Sequence, residues 1–204
     1  MIISYVLEKP TSTDLVTIDF VKKFLGESGQ ANVDEVVLLE LIRSVSSQME
    51  SYCNRLFGEH LVSDYWVNAS FPYWFHDGPV TRLVKAEIDG ENVLGQETLF
   101  ADQIVSYESR ENYMQEYRVH YIAGYSLPGS EPLSGQAQVY SPPLPDDLRY
   151  CCYELVKDFY LARGRSADTT SEDISGVVSA SFNSFGGIPR IASQILNPYR
   201  QINV

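Results

Sequence analysis

Asn32-Val33-Asp34-Glu35-Val36-Val37-Leu38-Leu39-Glu40-Leu41-Ile42-Arg43-Ser44-Val45-Ser46-Ser47-Gln48-Met49-Glu50-Ser51-Tyr52-Cys53-Asn54-Arg55-Leu56 is the stretch on which the fold reading turns. Asn32, followed three residues later by Glu35, has the arrangement of a capping box. Leu38, Leu41, Val45, Met49, Tyr52, Cys53 and Leu56 then recur at spacings of three and four, while Glu40, Arg43, Ser47, Glu50 and Asn54 fall on the opposite side. A helix with one buried stripe has this pattern, so a helix is expected over about residues 33–56.

Working outward, Thr17 can cap a short helix over about 17–25, with Phe20, Val21, Phe24 and Leu25 as its apolar side and Gly26 as its stop. Pro145 opens another over about 145–163. It has no amide hydrogen to leave unpaired, and Asp146 and Asp147 complement the positive end of the helix dipole. Its buried stripe reads Leu148, Cys151, Cys152, Leu155 and Phe159. A last short helix over about 189–197 follows Pro189, with Ile191, Ile195 and Leu196 on one side and Pro198 as its end.

Between the two long helices the period changes from 3.6 to two. Tyr117, Val119, Tyr121, Ala123 and Tyr125 alternate with Arg118, His120, Ile122 and Gly124, and Val80 to Ile88 forms a second partly alternating run. Asp89-Gly90 suits the positive φ angles of a tight hairpin. Residues 126–144, with Pro128, Gly129, Pro132 and Gly135, read as an exposed loop, and 166–204 as a C-terminal arm. The expected fold is therefore mainly α: one domain over residues 1–204, built as a small helical bundle of a short N-terminal helix, two long helices and a short C-terminal helix. An antiparallel β insertion over about 61–125 packs on it.

Composition sets bounds on function. The net charge of −12 opposes non-specific binding to phosphate backbones. The three cysteines show neither CxxC spacing nor the density of a secreted scaffold. Met1 to Glu8 lacks the basic start and the apolar length of a signal peptide, and no run of about 18 apolar residues could span a membrane. A soluble protein made in a cytoplasm is expected. P-loop, dinucleotide-binding, zinc-protease and nucleophile-elbow motifs are missing, and His60, His76 and His120 are scattered. The expectation is a protein without catalytic residues, cofactor or metal.

The order of parts resembles the head-to-tail connector (adaptor, or head-completion) proteins of tailed bacteriophages. The resemblance is carried by Val16-Thr17-Ile18-Asp19-Phe20, by Met49-Glu50-Ser51-Tyr52-Cys53-Asn54-Arg55, and by Gly78-Pro79-Val80 leading to Ile88-Asp89-Gly90. It continues in Val119-His120-Tyr121-Ile122-Ala123-Gly124-Tyr125, in Pro145 to Arg163, and in Ile188-Pro189 followed by Leu196-Asn197-Pro198-Tyr199-Arg200. It implies a structural subunit of the virion neck, assembled in the host bacterial cytoplasm as a homo-oligomeric ring of about twelve copies. Such a ring joins the portal protein to the stopper or tail-completion protein and extends a channel through which DNA passes without specific binding. The alternatives are a tail-completion or tail-terminator subunit and, further off, a small enzyme.

Two partner surfaces are expected on this resemblance. Ile188, Arg190, Ile191, Ile195, Leu196, Tyr199 and Arg200 are assigned to the portal, with the arginines offering bidentate pairing to carboxylates. Phe71, Tyr73, Trp74 and Phe75, in a stretch more aromatic than a minimal member of the family needs, are assigned to another neck protein.

Overall fold

A computed structural model describes residues 2–25, 34–67, 73–95, 97–100, 103–107, 116–131, 133, 141–162, 171–174, 178–181 and 188–201. The chain divides into two compact units. One comprises Met1–Thr13 and Leu56–Leu144, the other Asp14–Arg55 and Pro145–Val204. In chain order the elements are β1 (Ile2–Glu8), α1 (Ile18–Phe24), α2 (Glu35–Cys53), β2 (His60–Val67), β3 (Tyr73–Trp74), β4 (Val80–Ile88), β5 (Glu91–Asn92) and β6 (Glu97–Phe100). They continue with β7 (Gln103–Tyr107), β8 (Glu116–Ala123), α3 (Asp146–Ala162), β9 (Ser171–Ile174), β10 (Val178–Ser181), α4 (Arg190–Leu196) and a 3-10 turn, Asn197–Tyr199.

The helical unit packs α2 against α3, with α1 and α4 alongside both. Thr17 Oγ1 accepts the Phe20 N–H at 3.1 Å and caps α1. Asp34 caps α2 by accepting from the Val37 N–H at 3.3 Å, while Asn32, expected in that role, lies outside the described residues. Asn54 closes α2 in the left-handed conformation, φ 53°, which asparagine tolerates better than most side chains. The buried stripe of α2 is Leu38, Ile42, Val45, Ser46, Met49, Glu50 and Cys53. It is rotated from the expected one: Leu41 and Tyr52 are half-buried, and Glu50, read as solvent-facing, is buried. On α3 the buried residues are Leu148, Cys151, Cys152, Tyr153, Leu155, Val156 and Tyr160, and Phe159 is half-buried.

Three thiols lie in this core. Burial disfavours the thiolate, pushing Cys53 and Cys151 up to about 11 and Cys152 to about 12. Ser46 lies beside them. Its Oγ accepts the Leu15 N–H at 3.1 Å and lies 4.0 Å from Cys152 Sγ.

The other unit is built on a five-stranded antiparallel sheet in the order β1-β2-β8-β4-β5, with a three-stranded sheet β3-β7-β6. The pairings Val62↔Tyr121, Asp64↔Val119 and Trp66↔Tyr117 put these six residues on one face, joined by Ala86 and Ile88 of β4. This face is the core, with Tyr73, Phe75 and Val93 packed on it. The Trp66 ring stacks on Tyr73 at 3.8 Å and on Tyr117 at 5.5 Å. Tyr65, Arg118, His120, Lys85 and Glu87 belong to the opposite face. Asp89 and Gly90, φ 51° and 82°, form the turn from β4 to β5. Gly124 has φ 109°, and a Cβ there would stand 2.4 Å from the Gly58 carbonyl oxygen, so no other residue fits.

The fold is thus not a mainly α bundle. Among the described residues ten strands accompany four α-helices, and the sheet has its own core. The sequence reading missed two things. Ile2–Glu8, which carries no clear strand signal in the sequence, pairs with β2. The strand cluster, expected as an insertion on a helical bundle, buries a core of its own. Among the described residues of the 126–144 stretch, Leu127, Leu133, Ser141 and Leu144 are buried.

Candidate partner surfaces and the polar centre of the sheet unit

The residues of the expected C-terminal surface differ in exposure. Leu196 is fully buried with Ala192, whereas Ile191 is 75% exposed. Five helical positions separate Ile191 from Leu196, about 140° around the axis, so they do not share a side as expected. The segment is tied to its own unit by polar contacts. Tyr52 Oη donates to Asn197 Oδ1 at 2.8 Å, Tyr199 Oη donates to the Asp147 carboxylate at 2.8 Å, and the Gln201 N–H donates to the Cys53 carbonyl at 2.8 Å. The Arg200 guanidinium lies 5.7 Å from the centre of the Tyr52 ring. Ile188, Ile195 and Tyr199 are half-buried, and Arg190, Ile191 and Arg200 are the exposed members of the set.

The aromatic stretch divides in the same way. Tyr73 and Phe75 belong to the sheet core, Trp74 between them is 62% exposed, and Phe71 lies outside the described residues. Strand alternation explains the split, since neighbours on an extended chain face opposite ways.

A buried polar constellation in this unit was not read from the sequence. Asp64 is fully buried, and its Oδ2 accepts from Tyr73 Oη at 2.8 Å, Tyr121 Oη at 2.9 Å and the His76 N–H at 3.1 Å. Oδ1 has no protein partner among the described residues. Tyr121 Oη in turn accepts the Asp77 N–H at 3.0 Å. His60, also fully buried, places Nδ1 2.7 Å from the Gly58 carbonyl and Nε2 3.0 Å from Asp77 Oδ2. A carbonyl only accepts, so Nδ1 carries a proton. Burial and the Asp64 charge push both phenols far above their ordinary range, so Tyr73 and Tyr121 stay neutral donors. One signal could have exposed the site: Asp64 occupies the alternating position between Val62 and Trp66 in an otherwise core-facing series.

This arrangement holds backbone. The carboxylate and phenol oxygens collect the inward-facing amides of His76 and Asp77 and pin that turn to the sheet. Among the described residues no group of three His, Cys, Asp or Glu is placed to hold a metal ion, and no helix is long and apolar enough to cross a membrane.

No family model and no curated protein matches the chain. A search of solved structures finds the same fold in a chain of the virion of a native gene transfer agent particle, at 14% identity and a TM-score of 0.52. The superposition covers 99% of this chain and 97% of that one. At this identity the likeness is one of fold, and it extends over both units from end to end.

Proposed function

We propose that this chain is a structural subunit of a phage-like virion and, within it, the ring-forming adaptor of the neck that joins the portal to the stopper or tail. The observation that carries the reading is the end-to-end likeness of fold to a virion chain of the gene transfer agent particle. The order of motifs from Val16 to Arg200 supports the adaptor role, and the net charge of −12 suits a channel wall that lets DNA slide past without holding it.

In this reading the working parts are surfaces. Arg190 and Ile191, with Ile188 beside them, make the portal contact, and Trp74 meets another neck protein. Leu196, Tyr199 and Arg200 serve by holding α4 in place. Co-sedimentation of the purified protein with purified portal and with purified tail tube tests the assignment. Binding to portal that is lost in Ile191→Asp is the expected result. Binding to tail tube alone moves the protein to the tail-terminator role, and binding to neither removes it from the neck.

A further inference from the structure

Four titratable side chains meet on the face of the five-stranded sheet opposite to Asp64. Lys85 and Glu87 are alternate residues of β4, and Arg118 and His120 are alternate residues of β8. The register places Lys85 directly across from His120 and Glu87 directly across from Arg118, so the four form a two-by-two block over one seam. Lys85 Nζ donates to Glu87 Oε1 at 2.6 Å along β4, and on the other side the Arg118 guanidinium lies 5.7 Å from the centre of the Tyr65 ring. Lys85 and Arg118 are exposed, whereas Glu87 and His120 are half-buried.

The block holds one carboxylate and three basic side chains, and the base across from Lys85 is the one whose charge changes between about pH 5 and 8. The surrounding groups do not even this out. Arg82 lies further along β4, across from Ile122, and adds a cation to the same face. Glu116 of β8 is engaged by the Tyr65 hydroxyl of β2. Ser63 of β2, the other cross-strand neighbour of His120, is uncharged, and beyond it on β1 stands Tyr5. With His120 neutral, Glu87 offsets one of the two cations of the block. With His120 charged, like charges face each other across the seam, a pairing that destabilises a sheet. Burial first, then Lys85 and Arg118, push the His120 imidazole below its ordinary value of 6.5, with Glu87 pulling the other way. Glu87 is held below the usual carboxylate range by its bond from Lys85, and also by Arg118 and His120. Both directions agree with an excess of positive charge in the block.

We propose that the β4–β8 seam is an acid-responsive joint, closed while His120 is neutral and loosened when His120 takes up a proton across from Lys85. The unfolded chain binds that proton at the ordinary value of 6.5 and the folded seam resists it. Stability is therefore full above that value and falls as pH drops through it. What loosens is the pairing of β4 with β8, and β4 carries the Asp89-Gly90 turn and β5 with it. The joint lies wholly within the sheet unit and is independent of the neck assignment.

Nuclear magnetic resonance of the imidazole and of amide exchange tests the joint in the parent protein, Lys85→Gln and His120→Gln. The His120 ring is expected to titrate with a midpoint below 6.5 in the parent protein. That midpoint should move up in Lys85→Gln, which removes the facing cation and frees Glu87 to accept from the imidazolium. Amide protection along β4 and β8, corrected for the intrinsic exchange rate, is expected to fall between about pH 7.5 and about pH 5.5 in the parent protein. It should fall less in Lys85→Gln and hold in His120→Gln. His60 and His76 are common to all three proteins, so their titration cancels in the comparison. Lys85→Gln changes an exposed position and keeps the test decisive if His120→Gln does not fold. A His120 midpoint at or above 6.5, or one unmoved by Lys85→Gln, overturns the joint. Protection that does not change with pH, or that falls as far in His120→Gln as in the parent protein, overturns it as well.

Discussion

The two units solve the same problem, an interior without water, by opposite chemistry. In the helical unit every backbone group between the caps is satisfied by its own helix, so the buried side chains of α2, α3 and α4 can be mostly apolar, with three thiols, Ser46 and Glu50 among them. In the sheet unit the chain turns through His76 and Asp77 with amide hydrogens facing inward, where no helix or ladder partner is available. Asp64, Tyr73 and Tyr121 are the acceptors and donors brought in to meet them. The lesson is that the buried Asp64 carboxylate marks a backbone turn that needs an acceptor.

The largest expected effect tests that lesson directly. Asp64→Ala strands three buried donors and should cost the sheet unit roughly 5 kcal/mol, at about one to three for each donor. Replacing the donors as well, in Asp64→Leu with Tyr73→Phe and Tyr121→Phe, should recover a large part of the loss. Urea melts followed by tryptophan fluorescence read this unit alone, because Trp66 and Trp74 both lie in it. If the triple variant is no better than the single one, the polar centre does something other than satisfy backbone.

In the helical unit the sharpest contrast lies within α4. Leu196→Ala should cost about 2 to 5 kcal/mol, since the side chain is fully buried. Ile191→Ala, at an exposed position, should stay within about 0.5 kcal/mol. Far-ultraviolet circular dichroism during urea unfolding measures both. Equal effects would mean that α4 is docked differently.

Alkaline pH should separate the units by about one pH unit. The three thiols are held above their ordinary value of 9.0, so above that pH the unfolded chain releases protons that the folded helical unit retains. Stability that is fully present below pH 9 is therefore lost as pH rises through the folded values of about 11 to 12. The phenols of Tyr73 and Tyr121 start from 10.0 and are also raised, so the sheet unit begins the same loss later. Each group contributes up to about 1.4 kcal/mol per pH unit. Circular dichroism should report weakening before tryptophan fluorescence does, and coincident curves would break the comparison.

The smallest effect concerns the serine between the helices. Ser46→Ala removes the acceptor of the buried Leu15 N–H and should cost about 1 kcal/mol. Thermal melts resolve a change of that size, and a neutral result would mean that the amide finds another acceptor.

Local chemistry was readable in the chain, and long-range pairing was not. Thr17 as a cap, the Asp89-Gly90 turn and the helical periodicity of Leu38 to Cys53 each depend on neighbours within about one or two turns, and the sequence displays those neighbours. The same periodicity left the rotation of α2 open by one position. Leu41 and Ile42 are both apolar, and only the packing of α3 decides that Ile42 goes inward. Of the candidate surfaces, the sequence supplied the residues but not their exposure. Ile191 and Leu196 look alike in the chain and part company once α4 docks.

What the sequence determined by itself was the alternation of helical and strand-like segments, their caps and turns, and a charge that disfavours phosphate. What only the tertiary structure decided was that Ile2–Glu8 joins a strand more than fifty residues away, and that the sheet has a core of its own. It also decided that Asp64 meets Tyr73, Tyr121 and His76 at one point, and that β1 becomes an edge of the five-stranded sheet. The reason is physical. A helix closes its hydrogen bonds within four residues, whereas a strand takes its partner from anywhere in the chain, so its neighbours, its faces and its free edge exist only after the fold has formed.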